Sequence, residues 1–228
     1  MLFRSELAGQ APARRVACST DPAATEGFRI GEGHLVDASG RRLVAVADVP
    51  MRAPHDLANA LAAAAAALDL GAEPDAVRAA LLAARRLHHR VEPIGETRGV
   101  RYVDDSKATN PHATVTAVQG FERSVLIAGG RNKGIDLGVL RPLAPQLRAV
   151  VAIGEAAPEV VAAFDGAVPT VVADSMRAAV SAASDLAEPG DVVLLSPACA
   201  SFDWYRSYEE RGDDFRSEVE RHIAEVAS

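Results

Sequence analysis

Lysine, asparagine and cysteine are scarce in this sequence of 228 residues. Only two of its 24 basic side chains are lysines, Lys107 and Lys133, and it has three asparagines. Its two cysteines, Cys18 and Cys199, are too few and too far apart in the chain for a disulfide framework. This cysteine content is typical of a reducing compartment, so we expect a cytoplasmic protein.

The sequence also lacks the features of nucleic-acid-binding and membrane proteins. Its formal net charge is −7, and no basic run reverses that charge locally. The longest apolar stretch, within residues 59–71, is interrupted by Asp69 and is too short to cross a bilayer. We therefore expect no nucleic-acid partner and no membrane span, and we interpret the alanine-rich stretch as a core helix.

The first 87 residues read as the end of a domain. Residues 28–50 contain short β-type runs separated by "GEG" and "ASG", which predicts an antiparallel meander. One helix is predicted from near Pro54 to Gly71, and a second begins at Pro74. No complete strand or helix precedes "APARRVACST", so we expect the sequence to begin inside a larger protein.

Residues 88–228 have the pattern of an α/β domain. Apolar runs of strand length, "RYVDDS", "SVLIAGG", "AVVAIG", "TVVADS" and "DVVLLSPA", alternate with helical stretches at 112–120, 156–164, 175–187 and 212–226. This alternation predicts a Rossmann-like, mainly parallel sheet covered on both faces. Ligands of such folds bind at the carboxyl ends of the strands, where both lysines are found.

The loop after the first of these strands, "DDSKATN", admits two interpretations. Asp105, Lys107 and Thr109 together suit a phosphate or carboxylate cradle. Alternatively, Thr109 or Asn110 caps a helix that begins near Pro111. The two roles are compatible, because helix N-termini favour anions.

The next loop, "IAGGRNKGID", is rich in glycine but matches neither nucleotide-binding pattern, G-x-G-x-x-G or G-x-x-x-x-G-K-[ST]. Lys133 suits a ligand carboxylate, and a solvated turn is the alternative. The rarity of lysine in an arginine-rich chain favours a site that needs a compact ammonium group.

The last loop follows the strand that ends in "SPA". Ser201 has neither a nearby histidine nor a G-x-S-x-G turn, which excludes a serine hydrolase and leaves a carboxylate pocket of hydroxyl and backbone N–H groups. Cys199 is interpreted as a small buried residue.

The segment "LHHRVEP" lies between the two parts. His88 and His89 have no metal-ligand spacing to cysteine or to another histidine, so zinc is not expected. Arg90 is interpreted either as a contact to a nucleotide base or as a partner of Glu92.

Five motifs, taken in order, resemble the Mur ligases: "PHDLANAL", "HHRVE", "VDDSKATN", "GGRNKGID" and "LSPACASFDWYRSYEERGDDF". The resemblance covers nearly the whole chain and is greatest to members that add D-glutamate. It implies an α/β fold: the truncated end of a central ATPase domain (1–87), then the whole C-terminal, Rossmann-like domain that binds D-glutamate (88–228).

The resemblance implies an ATP-dependent ligase of peptidoglycan synthesis. ATP would phosphorylate the carboxylate of UDP-N-acetylmuramoyl-L-alanine, and the amine of D-glutamate would attack the acyl phosphate. The implied nucleotide contacts are Asp56, Asn59, Arg90 and Asp105, and the implied catalytic residues are Asp105 and Lys107, with Lys107 near the reacting phosphate. The implied D-glutamate pocket is formed by Thr109, Lys133, Ser201, Phe202 and Tyr208.

The sequence departs from the Mur ligase pattern in three respects. Asp56 replaces the usual asparagine, and an aspartate accepts hydrogen bonds but does not donate them. There is no Gly-Lys dipeptide for a P-loop, and nothing matches the family's Mg²⁺ ligands, so no metal-binding residue is assigned. We therefore expect ATP and Mg²⁺ to serve a full-length, monomeric parent enzyme, and this chain alone to be inactive.

Two alternatives remain open from the residues. One is a related amino-acid-adding ligase, similar to folylpolyglutamate synthase. The other is a non-catalytic module that binds a nucleotide or an amino acid.

Overall fold

The chain folds into two compact units that divide between residues 86 and 87. The computed structural model describes residues 15–52, 54–85 and 87–227, with only the backbone described at His55. The first 14 residues, for which no complete element is predicted, lie outside the described part. The assignment of the two units to an ATPase domain and a D-glutamate domain stays a prediction.

The N-terminal unit is a four-stranded sheet with two helices. In sheet order its strands are β1 (Cys18–Ser19), β2 (Phe28–Gly31), β3 (His34–Val36) and β4 (Arg42–Ala45). β1 is parallel to β2, whereas β2, β3 and β4 form the predicted antiparallel meander. The predicted helices are confirmed as α1 (Pro54–Asp69) and α2 (Pro74–Ala83), and one apolar cluster joins them to the sheet.

The C-terminal unit contains the predicted, mainly parallel sheet. Its strands are β5 (Glu92–Thr97), β6 (Val100–Asp104), β7 (Ser124–Gly129), β8 (Leu147–Ile153), β9 (Thr170–Ala173) and β10 (Val192–Ala198). Their order in the sheet is β5-β6-β10-β7-β8-β9, and only β5 is antiparallel to its neighbour. The sequence did not predict β5, because "EPIGET" contains no apolar run and its pairing depends on β6.

Both faces of this sheet are buried, which explains why its strands read as continuous apolar runs. The helices are α3 (Pro111–Val118), α4 (Ala157–Phe164), α5 (Met176–Leu186) and α6 (Tyr208–Val226). Val103, Leu126 and Leu194 point to the face covered by α3, α4 and the 3₁₀ segment Leu137–Gln146. Tyr102, Ile127 and Leu195, one residue along each strand, point to the face covered by α5 and α6.

No helix among residues 15–52, 54–85 and 87–227 is long and apolar enough to cross a membrane. The predicted Cys199 is confirmed as a buried residue, and its burial raises the pKa of the thiol to about 11.

Three neighbouring strands bring their carboxyl ends to one edge of the sheet. β10 lies between β6 and β7 and is parallel to both. The strands end at Asp104, Ala198 and Gly129. At Gly129 φ is 129°, and a Cβ atom there would lie 2.0 Å from the carbonyl oxygen of Ile153. The close approach of β7 and β8 at this edge therefore requires glycine.

We expect Gly129→Ala to destabilise the chain by about 4 kcal/mol, because the new Cβ collides with the backbone of β8. Gly166→Ala is the matched control: φ is 65° and nothing lies within 4 Å, so it should cost only about 1 kcal/mol of backbone strain. Urea unfolding measures both values, and equal losses would contradict the role assigned to Gly129.

Candidate functional site

The candidate site is formed by the loops that follow β6, β10 and β7. These loops comprise residues 105–110, 199–207 and 130–136, and all leave the same edge of the sheet. Arg131 and Ala200 exchange backbone hydrogen bonds of 2.8 and 3.1 Å, which join the β7 loop to the β10 loop. The predicted candidates Lys107, Lys133 and Ser201 thus follow three adjacent strand ends.

Asp104 closes β6 and is completely buried. Its Oδ1 accepts a hydrogen bond from Ser106 N (2.8 Å), and a 2.7 Å hydrogen bond joins its Oδ2 to His89 Nδ1. Burial raises the pKa of Asp104, and the bond from His89 opposes that change. The histidine is therefore the direct partner of a buried carboxyl group.

Asp105 points away from Asp104, because successive side chains at a strand end alternate in direction. Its Oδ1 accepts from Val91 N (3.2 Å), and its Oδ2 accepts from Ser196 Oγ (2.8 Å). The residue is only 4% exposed, and this burial raises the pKa of its carboxyl group to about 7. Both carboxylate oxygens therefore contact the protein itself.

The segment before β5 adopts an unusual backbone conformation. His89 and Val91 have φ values of 60° and 47°, which are unfavourable for non-glycine residues and especially for a β-branched one. His89 N donates to Glu92 Oε2 (2.9 Å), and His89 O accepts from Lys107 N (3.0 Å). These bonds, with those to Asp104 and Asp105, hold the segment in place and leave Arg90 exposed between them.

The proposed partner of Arg90 in the second interpretation, Glu92, is engaged elsewhere. Glu92 Oε1 accepts a 2.7 Å hydrogen bond from Arg216 in α6. The interpretation of Arg90 as the ion-pair partner of Glu92 is therefore wrong. The actual partner, Arg216, is distant from Glu92 in the sequence but adjacent to it in space. Arg90 does act electrostatically on Asp105, where it lowers the pKa against the larger effect of burial.

Lys107 and Tyr208, both predicted site residues, contact each other. Lys107 Nζ donates to the Tyr208 hydroxyl over 2.9 Å and lies 4.6 Å from the centre of its ring. The Tyr208 ring also packs edge-on against His89, with 6.3 Å between the ring centres. Thr109 belongs to the same loop, where its N–H donates to Lys107 O (2.9 Å).

Arg211 is a buried arginine beneath this cluster and was not predicted. It is 1% exposed, and its burial lowers the pKa of the guanidinium to about 10. Nε donates to Ser106 Oγ (2.9 Å), Nη2 to Ser106 O (2.8 Å) and Nη1 to Cys199 O (3.2 Å). Ser106 Oγ in turn donates to Tyr208 O (2.8 Å). The β6 loop, the β10 loop and α6 are therefore fixed to one another.

The predicted residues of the β10 loop differ in accessibility. Ser201 is 2% exposed, and its carbonyl accepts from Trp204 N and Tyr205 N. Phe202 is 57% exposed. Lys133, on the β7 loop, is exposed. The edge thus presents an exposed ammonium group and an exposed aromatic ring, beside a buried serine.

The predicted nucleotide contacts Asp56 and Asn59 lie on α1 in the N-terminal unit. Asp56 is half-buried in the first turn of this helix, and Asn59 is exposed one turn later. The helix-capping alternative for the β6 loop is confirmed at Asn110, whose Oδ1 accepts from Ala113 N (3.0 Å).

One group of side chains within the described residues has the arrangement of a cation site: His89, Glu92 and Asp104. Its ligand atoms all lie within 4.8 Å of one another. However, both carboxylates already accept hydrogen bonds from protein donors, including the Arg216 guanidinium on Glu92. The chemistry therefore fits a hydrogen-bonded His–Asp pair, and it does not fit Mg²⁺, which favours oxygen ligands and retains waters.

Comparison with protein families agrees with this geometry. Residues 89–199 match the family model described as "Mur ligase, glutamate ligase domain". The chain carries the C-terminal domain of the Mur ligase family. The matched range contains the whole loops after β6 and β7, the whole of β10 and the first residue of the loop after β10.

Curated relatives extend the Mur ligase match along most of the chain. The chain is 47% identical over 223 residues to a UDP-N-acetylmuramoylalanine–D-glutamate ligase from Frankia casuarinae, covering 94% of this chain and 47% of that protein. A relative of the same name from Salinibacter ruber is 44% identical, with coverage of 94% and 48%. The chain therefore spans about half the length of the curated relatives it matches.

Solved structures support the Mur ligase fold. A murein peptide ligase from Psychrobacter arcticus has a TM-score of 0.56 at 21% identity, covering 77% of this chain and 38% of that one. A folylpolyglutamate synthase from Mycobacterium tuberculosis has a TM-score of 0.53 at 21% identity, with coverage of 75% and 42%. At these identities the likeness concerns the fold alone.

The raised pKa of Asp105 predicts a pH-dependent stability. The folded carboxyl group keeps its proton up to about pH 7, whereas the unfolded one releases it near its ordinary pKa of 3.8. The contribution of Asp105 to the free energy of unfolding is therefore fully present below the pKa of the unfolded chain. It is lost as the pH rises through the pKa of the folded chain, at no more than about 1.4 kcal/mol per pH unit.

Urea unfolding between about pH 4 and about pH 8 measures this slope. Asp105→Asn removes the titrating group, so the loss of stability across this range should be smaller than in the unsubstituted chain. Parallel pH profiles would contradict a raised pKa at Asp105.

We expect Arg211→Met to destabilise the chain by about 3 kcal/mol, because Ser106 O and Cys199 O lose their buried donor. Arg221→Met is the matched control on α6, since Arg221 pairs with Glu218 and Glu225 near the surface. That control should leave the free energy of unfolding almost unchanged. A similar loss of stability in both variants would contradict the stabilising role assigned to the buried hydrogen bonds of Arg211.

Proposed function

We propose that this chain is the amino-acid-binding part of an ATP-dependent ligase that adds D-glutamate to UDP-N-acetylmuramoyl-L-alanine in peptidoglycan synthesis. One observation carries the proposal: Lys107, Lys133 and Ser201 follow the carboxyl ends of three adjacent strands, β6, β7 and β10. The names of the relatives described above support the same activity.

The proposed reaction has two steps. The acceptor carboxylate attacks the γ-phosphorus of ATP, giving an acyl phosphate and ADP. The amine of D-glutamate then attacks the acyl carbon and an amide bond forms. Inorganic phosphate leaves with the former acyl C–O bonding electrons and takes up the proton that the amine loses. Both steps bring negatively charged groups together, so the site must supply cations and hydrogen-bond donors.

The residues of the C-terminal unit divide between these two needs. Lys133, Thr109 and Ser201 supply an ammonium and two hydroxyl groups for D-glutamate, and the backbone around Phe202 and Tyr208 completes the pocket. Lys107 lies on the β6 loop, where its ammonium is held against Tyr208 and serves the transferring phosphate. An ammonium group acts there as a point charge.

The proposed nucleotide contacts follow the family resemblance. Arg90 offers an exposed guanidinium that can stack on the base, and Asn59 and Asp56 offer polar groups on α1. Asp105 is proposed as a further contact on the strength of the family resemblance. When bound, ATP supplies the phosphoryl group. The group formed by His89, Glu92 and Asp104 does not fit Mg²⁺, and no step here is routed through the metal.

The complete, longer protein is the enzyme to assay for turnover. Phosphate release that depends on ATP, D-glutamate and UDP-N-acetylmuramoyl-L-alanine together would support the proposal. Its cytoplasmic location and monomeric state stay predictions. Release with L-glutamate and a folate acceptor instead would favour a folylpolyglutamate synthase-like ligase, whose fold this chain shares. Ligand binding without turnover would favour the non-catalytic binding module.

We expect Lys133→Ala to weaken the binding of D-glutamate at least about tenfold, because an ammonium group paired with a ligand carboxylate is lost. Calorimetric titration of the 228-residue chain measures the dissociation constants. Lys133→Arg is the matched control, because it keeps the charge but loses the compact ammonium group. Its dissociation constant should lie between those of the unsubstituted chain and Lys133→Ala. Equal affinities in all three proteins would remove Lys133 from the site.

A further inference from the structure

The turn that carries Lys133 is closed by a single side chain, that of Asn132. Its Oδ1 accepts a hydrogen bond from Ile135 N (3.0 Å), and its Nδ2 donates to Ile135 O (2.8 Å). The second Nδ2 hydrogen is directed to Glu159 in the first turn of α4. Because the Ile135 N–H only donates and its carbonyl only accepts, this orientation of the amide is the one the turn requires.

The Asn132 amide thus pairs with Ile135 as a neighbouring strand would. Between the two lie Lys133 and Gly134, and φ at Gly134 is 77°, a left-handed conformation that closes the turn without strain. The turn is also bonded to α4 through Glu159. The backbone of Lys133 is therefore fixed on both sides by one side chain.

The neighbouring polar groups are used within the protein, and Lys133 is not. Arg131 donates to Glu155 through Nε (3.0 Å) and Nη2 (2.8 Å), and its backbone pairs with Ala200. Within the described residues, no hydrogen bond or ion pair is formed by the Lys133 side chain, which is exposed. The loop thus satisfies its own polar groups and leaves one ammonium group available.

We propose that Asn132 is a positioning residue for the binding of a dicarboxylic amino acid. It holds the turn so that the Lys133 ammonium is available to one carboxylate of the ligand. This inference rests on the proposed function and adds to it a residue that does not contact the ligand. A long lysine side chain loses much rotamer freedom when it binds a ligand. If its backbone is already fixed, no backbone freedom is lost in addition, so the ligand has less conformational entropy to offset.

A double-mutant cycle separates positioning from general stabilisation. We expect Asn132→Ala to weaken D-glutamate binding about tenfold, measured by calorimetry on the 228-residue chain. In a Lys133→Ala background the same substitution should have no further effect, because Asn132 acts through Lys133. Equal effects in both backgrounds would overturn the proposal.

The choice of ligand tests the role of Lys133 directly. D-Glutamine lacks the side-chain carboxylate and 4-aminobutyrate lacks the α-carboxylate, so Asn132→Ala should leave unchanged the binding of the analogue that lacks the carboxylate paired with Lys133. Equal losses for D-glutamate and both analogues would overturn the positioning role. Ser175→Ala is a matched control at another strand end of this sheet, where Ser175 Oγ accepts from Ala178 N at the start of α5. It should leave all of these affinities unchanged.

Hydrogen exchange tests the positioning without any ligand. The Ile135 amide is protected by Asn132 Oδ1, so its exchange should accelerate about tenfold or more in Asn132→Ala. Unchanged exchange would overturn the proposal even if D-glutamate binds. Conversely, accelerated exchange in a chain that binds no D-glutamate would support the turn and refute the proposed function.

Rescue by a compensating pair completes the test. Asn132→Asp keeps the acceptor for Ile135 N but places a carboxylate against Glu159, so it should weaken D-glutamate binding and accelerate exchange. Adding Glu159→Gln supplies a donor to that carboxylate and should recover part of both losses. No recovery in the double variant would count against the contact to α4.

Discussion

A guanidinium group loses several kcal/mol of hydration when it is buried, unless protein acceptors replace the water. Arg211 meets this condition with Ser106 O, Ser106 Oγ and Cys199 O, which belong to the loops after β6 and β10. Parallel pairing alone brings the ends of these strands to one edge. The buried arginine goes further, because its acceptors must converge on one point, which fixes the two loops against α6. Lys107 directly follows Ser106, so its placement beside Tyr208 depends on this contact.

The same edge separates groups that hold the fold from groups that remain available to a ligand. The groups that hold the fold are buried and form hydrogen bonds within the protein: Asp104, Asp105, Ser106 and Arg211. Arg90 and Lys133 are exposed, yet each is attached to a backbone that the buried groups or neighbouring amides restrain. Preorganised cations bind anions better than mobile ones, since less order has to be imposed on binding. The buried groups therefore make the exposed charges better suited to bind an anion, because they restrain the backbone that carries those charges.

The sheet, its parallel character and all but one of its strands follow from apolar runs, since a strand buried on both faces leaves that signature. β5 left none, because Pro93 and Gly95 interrupt it and its partner is supplied by β6. α6 begins at Tyr208, earlier than the predicted 212, because Ser207 caps it. At the site, rarity singled out Lys107 and Lys133, which the structure places at neighbouring strand ends. It could not single out Arg211 in an arginine-rich chain, nor pair His89 with Asp104, because those contacts join distant parts of the sequence.

Asp104 and Asp105 explain how two adjacent carboxyl groups can serve one segment. Successive side chains at the end of β6 point in opposite directions, so Asp104 reaches the His89 ring while Asp105 reaches Val91 N. The strained backbone between them is thus held from both sides, and Arg90 projects from the restrained stretch. Burial raises the pKa of both carboxyl groups. The charge of Asp104 further raises the pKa of Asp105, and the charge of Glu92 further raises that of Asp104. Because the pKa of Asp105 is about 7, this group keeps its proton up to that pH, which reduces its repulsion with Asp104.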